Sequence, residues 1–182
     1  MLHPVTPDLN ALVALFYADP QRLGRFHQMM AEQMPADYRT LLAHEAHMTV
    51  TVEAFHECRV DVQVKDRLTD GSLYARKILL TRQRDARVVQ FGIMRINFRY
   101  LEAEVQSEIQ REATPLGRIL IEHNVLRRVR LASLWQVSPG DDLQALFGLD
   151  QPRLTFGRTA MIECNGEPAV ELLEIVAPLG AQ

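Results

Sequence analysis

A chain of 182 residues with 47% hydrophobic content is long enough to bury one real core and short for two domains of ordinary size. A net charge of −3 and a pI near 6.1 exclude the basic footprint of a nucleic-acid binder, although Arg127, Arg128 and Arg130 form a local cluster. Cys58 and Cys164 form no CxxC pair, no signal peptide precedes them and no apolar run would span a bilayer. The expectation is a cytoplasmic protein with reduced thiols, no membrane partner and a small-molecule ligand or substrate.

Residues 7 to 45 carry helical spacing. Leu9, Leu12, Val13, Leu15 and Phe16 make a first amphipathic stretch that stops near Asp19-Pro20. Pro20 opens a second, through Leu23, Phe26 and Met30, and Pro35-Ala36-Asp37 opens a third that carries Leu41 and Leu42. From about residue 58 the period changes to two, and strands are predicted over 59–64, 72–81, 88–98, 127–137, 154–163 and 169–176. Two helical pieces, 100–111 and 117–123, fall between the third and fourth of these. Cys164-Asn165-Gly166-Glu167 reads as a two-residue type I′ hairpin turn between the last two strands. Helices gathered at the start and middle, with strands in blocks, predict one α+β domain over 1–182, a six-stranded and mostly antiparallel sheet, and residues 1–40 as a helical amino-terminal extension.

Most motifs of known chemistry are missing: no GxGxxG, P-loop, GxSxG or HExxH. On a helix His44 and His47 would share a face, but no spacing fixes a third metal ligand, and no metal is expected. Cys58 has no base paired with it and reads as a small buried side chain. Strand alternation puts Arg76 on one face with Tyr74, Ile78 and Leu80. There it either meets an anion, because an unpaired buried charge is costly, or snorkels to solvent from an edge. In Thr114-Pro115-Leu116-Gly117-Arg118, Thr114 reads as N-cap and Pro115 as the first helical residue, so Leu116 offers the first free main-chain N–H. That end suits either a plain cap or a carboxylate. Glu171 and Glu174, three apart on the last strand, point to opposite faces unless a bulge intervenes, and either can pair with Arg158.

In order and separation, Leu41-Leu42, Met48-Thr49, the run from Tyr74 to Leu80, Thr114 to Arg118, Phe156-Gly157-Arg158, and Asn165 to Pro168 leading to Glu174 and Pro178 resemble the chorismate lyase (chorismate pyruvate-lyase) family. The likeness covers residues 41 to 178 and is strongest to the family's divergent branch. It implies an antiparallel sheet with helices over an internal ligand cavity, and conversion of chorismate to 4-hydroxybenzoate and pyruvate. That reaction aromatises the ring and needs no cofactor. The resemblance gives Arg76 the ring carboxylate, helped by main-chain groups at Met48 and Leu116, and gives Glu174 the ring hydroxyl. A second basic side chain should meet the enolpyruvyl carboxylate, with Arg128 and Arg158 as candidates by position. Lys77 stands where the family has an acid. One residue too many lies between Pro168 and Pro178, which makes Glu171 the rival of Glu174. A bulge that absorbs it favours Glu174. An unbroken hairpin would set Glu171 opposite Ala160 and Glu174 opposite Gly157. The same fold serves as the effector-binding part of GntR-type transcription regulators, so a non-catalytic sensor of chorismate or a small aromatic acid is the alternative.

Overall fold

The computed structural model describes residues 6–180. Its seven strands are β1 (Gly24–Met29), β2 (Val60–Asp70), β3 (Leu73–Arg82), β4 (Val88–Asn97), β5 (Arg127–Pro139), β6 (Thr155–Cys164) and β7 (Glu167–Val176). They form one sheet in the order β1-β5-β6-β7-β4-β3-β2, and every neighbouring pair is antiparallel. Among the described residues the α-helices are α1 (Leu9–Ala14), α2 (Ala36–Leu42), α3 (Met48–His56), α4 (Ala103–Gln110), α5 (Leu116–Glu122) and α6 (Asp141–Phe147).

Period-two alternation divides the sheet's side chains between two cores. One contains Leu12, Val13, Leu23, Leu79, Phe91, Ile93, Val137, Leu143, Leu173 and Ile175, so α1 and α6 cover that face. The other contains Ile78, Leu80, Met94, Ile96, Ile162 and Leu172 together with Leu41 and Leu42 of α2, Met48 and Val52 of α3, Val105 and Ile109 of α4, and Leu116, Ile119 and Leu120 of α5. Each fully buried apolar side chain contributes about 1.5–3 kcal/mol, so both faces hold the sheet.

Three elements differ from expectation. Gly24–Met29 is a strand, not a helix, and the sheet has seven strands, not six. Pro20 opens only a three-residue 3-10 turn, capped by Asp19. Leu23, Phe26 and Met30 fit helical spacing, but the open edge of β5 decides the outcome. Gly24 pairs with Pro139 at φ 154°, where a Cβ would lie 2.6 Å from the Ser138 carbonyl oxygen. Phe26 then meets Trp135 edge-on, with ring centroids 6.3 Å apart. The other two differences are α3 and α6, helices the periodicity did not single out.

The predicted turn between β6 and β7 is present, with Asn165 at φ 54° and Gly166 at φ 85° as a type I′ turn requires. Glu163 faces Pro168 but Ile162 faces Val170, so Ala169 is an extra residue and β7 bulges beside a proline that cannot donate to the ladder. The bulge moves the register by one. Glu171 faces Met161 and Glu174 faces Arg158, in place of the Ala160 and Gly157 of an unbroken hairpin.

Candidate functional site

The first turns of α3 and α5 meet over the sheet because Gly117 lets them approach. A Cβ at Gly117 would lie 3.1 Å from His47 Cβ and 3.2 Å from Thr49 Oγ1. Beneath this crossing is an internal cavity of about 30 Å³, lined by His47, Met48, Thr49, Pro115, Leu116 and Gly117 above and by sheet residues including Ile78, Gln90, Met94, Arg158, Leu172 and Glu174 below. That volume holds one or two water molecules. Pockets for drug-sized ligands run to about 300–1,000 Å³, so a bound acid has to displace side chains here.

Neither helix start is capped by a side chain: His47 is the N-cap of α3 and Pro115 that of α5. Pro115, at ψ 139°, is still extended, so the helix begins at Leu116 and Thr114 is not its cap. Arg118, the basic residue in that first turn, ion-pairs with Glu53 of α3.

Glu174 accepts a hydrogen bond from Arg158 Nε at 2.8 Å. Arg158 is fully buried, and its Nη1 and Nη2 donate to the main-chain oxygens of His44 (2.9 Å) and Ala46 (3.0 Å). One guanidinium therefore neutralises Glu174 and ties the segment between α2 and α3 to the sheet. Gly157 sits beside it, where a Cβ would lie 2.7 Å from the Glu174 carbonyl oxygen. His47 Nε2 accepts from Arg127 Nε at 2.9 Å. Burial, with Arg127 and Arg158 nearby, lowers the His47 pKa to about 4. His44, lowered by burial and by Arg158, bonds the Leu41 carbonyl at 2.7 Å. No cluster of three His, Cys, Asp or Glu among the described residues is disposed to hold a metal.

Arg76 is fully buried on the same face. Its Nε donates to Met94 Sδ at 3.3 Å and its Nη1 to the Ile109 carbonyl at 3.2 Å, while Nη2 has no partner. It makes no ion pair among the described residues. Glu112 accepts instead from Tyr74 Oη and Arg67 Nη1, both at 2.9 Å. Burial pulls the Arg76 pKa below its ordinary value, and Tyr74 and Glu112 partly oppose that. Arg76 does not itself line the cavity; Met94, which takes its Nε–H, does.

Of the residues singled out from sequence, Met48, Leu116, Arg158 and Glu174 line one cavity and Arg76 lies one side chain behind it. Arg128 does not join them: it is exposed on β5 opposite Glu163. Glu171 points to the other face, where its carboxylate takes the Arg95 Nε–H at 2.6 Å. Lys77 also lies there, 4.8 Å above the Tyr17 ring and 3.9 Å from Asp142, so it adds no charge to the cavity. Cys58 is half-buried rather than a core residue. Sequence reading passed over Gln90, whose signal was a lone carboxamide in the otherwise apolar run Val88 to Met94, two residues from Gly92.

No family model matches the chain, and no curated protein matches it in sequence. Solved structures match it in fold. One is PhnF from Mycobacterium smegmatis, at 13% identity and TM-score 0.56 over 72% of this chain and 64% of that one. A second is the effector domain of that protein, at 12% identity and TM-score 0.50 over 72% of this chain and 88% of the domain. A third is a gene product of Staphylococcus aureus subsp. aureus N315, at 10% identity and TM-score 0.51 over 68% and 86%. The chain thus spans less than two thirds of the whole PhnF chain but most of its effector domain. At such identities the likeness is one of fold, an α+β domain with a seven-stranded antiparallel sheet of the chorismate lyase-like kind also found in the PhnF effector domain.

Proposed function

We propose that this chain is a ligand-binding domain that senses a small aromatic carboxylic acid, of the chorismate or 4-hydroxybenzoate type, at the cavity between α3, α5 and the sheet. Arg76 is the observation that carries the reading. A buried guanidinium that makes no ion pair among the described residues, with Glu112 acting on it only from beyond contact, is costly, and an acid that reaches it supplies a direct partner. The way there passes Met94, an unbranched thioether that changes rotamer easily, and Met48 can yield in the same manner. The uncapped first turns at Met48 and Leu116 offer main-chain donors to the same carboxylate, and Glu174 accepts from a ring hydroxyl while Arg158 holds it in place.

Two findings support binding over turnover. The fold is that of the PhnF effector domain, a part whose name marks a ligand-responsive role in that protein. Arg158 spends its nitrogens on Glu174, His44 and Ala46, and Arg128 lies outside the cavity, so neither candidate is free to meet an enolpyruvyl carboxylate. The chorismate pyruvate-lyase reading keeps one supporting observation, the convergence of Met48, Leu116 and Glu174 on a cavity next to Arg76. Titration calorimetry with 4-hydroxybenzoate and with chorismate, alongside incubation with chorismate, separates the two. Binding with no release of pyruvate is the expected result, and equimolar pyruvate and 4-hydroxybenzoate would make the chain a lyase. Absence of binding, or affinity unchanged by Arg76→Ala, would overturn the anion site.

A further inference from the structure

Gln90 of β4 faces Leu80 of β3 and Val176 of β7, and it stands one diagonal step from Glu174, which faces Gly92. It is 2% exposed and lines the cavity, yet its carboxamide oxygen has no hydrogen-bond partner among the described residues. A leucine would pack against Leu80 and Val176 without that unmet demand, so the amide is not there for the core. On the other face Glu171 meets Arg95 and Trp135 Nε1 meets Thr159 Oγ1, and Arg130, whose Nε is unpartnered, still ion-pairs with Glu163.

We infer that Gln90 selects the ligand: the cavity takes a small acid that carries, next to the group accepted by Glu174, a second hydrogen-bonding substituent met by Gln90. The inference rests on the ligand-binding reading of the cavity. Diagonal neighbours on adjacent strands lie about 7–8 Å apart, close enough for two long side chains to converge on neighbouring ring positions. A carboxamide both donates and accepts, so it fits a hydroxyl, an ether oxygen or a carbonyl at the second position. A bare carboxylic acid with one hydroxyl satisfies Arg76 and Glu174 and leaves Gln90 unmet.

The test is calorimetry of the wild-type chain and Gln90→Leu with 4-hydroxybenzoate and with 3,4-dihydroxybenzoate, with thermal melting of both proteins. The wild type is expected to prefer the dihydroxy acid roughly tenfold, the net worth of one hydrogen bond to a carboxamide that the fold has already desolvated. Q90L is expected to lose the preference and to melt no lower. Equal wild-type affinities for the two acids, as when Gln90 only anchors a water, would overturn the inference and leave the site standing, whether or not Q90L folds. A preference retained in Q90L, or a Tm several degrees lower with the preference gone, would overturn it too, the latter by making Gln90 structural. Failure of the wild type to bind either acid would remove the cavity reading and this inference with it.

Discussion

The two faces of the sheet are built from the same strands to different rules. The face under α1 and α6 is an apolar core whose polar side chains sit mainly in mutual pairs, Arg95 with Glu171, Lys77 with Asp142, Trp135 with Thr159 and Arg130 with Glu163, and Arg130 Nε is the one buried atom there left without a partner among the described residues. The face under α2 to α5 holds all four of the long buried polar side chains among the described residues, Arg76, Gln90, Arg158 and Glu174. Two of those four retain an atom without a partner. Burying polar groups that the fold does not satisfy lowers stability, and the ligand site proposed for this face would offset that cost.

The comparison breaks most visibly on the apolar face. Phe91→Ala removes a fully buried ring between α1, α6 and the sheet and is expected to cost about 3–5 kcal/mol in chemical denaturation, while the molecules that stay folded keep their affinity for 4-hydroxybenzoate. On the cavity face Arg158→Met is expected to cost about 3 kcal/mol, because it leaves Glu174 charged and uncompensated and unties His44 and Ala46. Adding Glu174→Leu should return most of that stability without returning binding. A double variant as unstable as the single one would mean that the loop contacts, and not the charge pair, set the cost.

Acid should act through His47, which faces Arg127 and Arg158. Its folded pKa of about 4 lies below the unfolded value of 6.5, so the unfolded chain binds the proton first and stability falls as pH drops from about 6.5 to 4. After allowance for partial exposure the loss is about 2 kcal/mol, and His47→Gln should flatten that part of the profile. The smallest effect belongs to the margin of the apolar face. Glu171→Gln weakens one half-exposed ion pair with Arg95 by about 1 kcal/mol or less and leaves ligand affinity unchanged. Loss of affinity in that variant would move the functional acid to Glu171.

Much of this division was legible in the sequence, and the exceptions have physical causes. Alternation placed Arg76 among Tyr74, Ile78 and Leu80, and the Asn165-Gly166 pair fixed the hairpin, because both signals are local. The surplus residue before Pro178 called for a bulge or a register shift without placing it, and the structure puts it at Ala169, beside Pro168. What the count could not supply was the partner brought opposite Glu174 once the register moved, Arg158 rather than Gly157. β1 was misread because Leu23, Phe26 and Met30 fit helical spacing, and only pairing with the open edge of β5 makes Gly24–Met29 a strand. Helix α3 is rich in β-branched residues, Thr49 to Val52, and is held by its crossing with α5 at Gly117. Helix α6 did carry its signals, two aspartates in the first turn and Gly148 in the left-handed region after Phe147, and was overlooked.

Methionines report on both faces at once. Met48 and Met94 line the cavity, whereas Met161, buried on β6 between Arg130 and Glu171, faces the other way. With methyl-13C-methionine incorporated, titration of 4-hydroxybenzoate followed by proton–carbon NMR should shift the Met48 and Met94 methyls saturably, leave Met161 in place, and lose the effect in Arg76→Ala. Unmoved Met48 and Met94 methyls at millimolar acid, or a shift confined to Met161, would contradict the assignment of the ligand to the polar face.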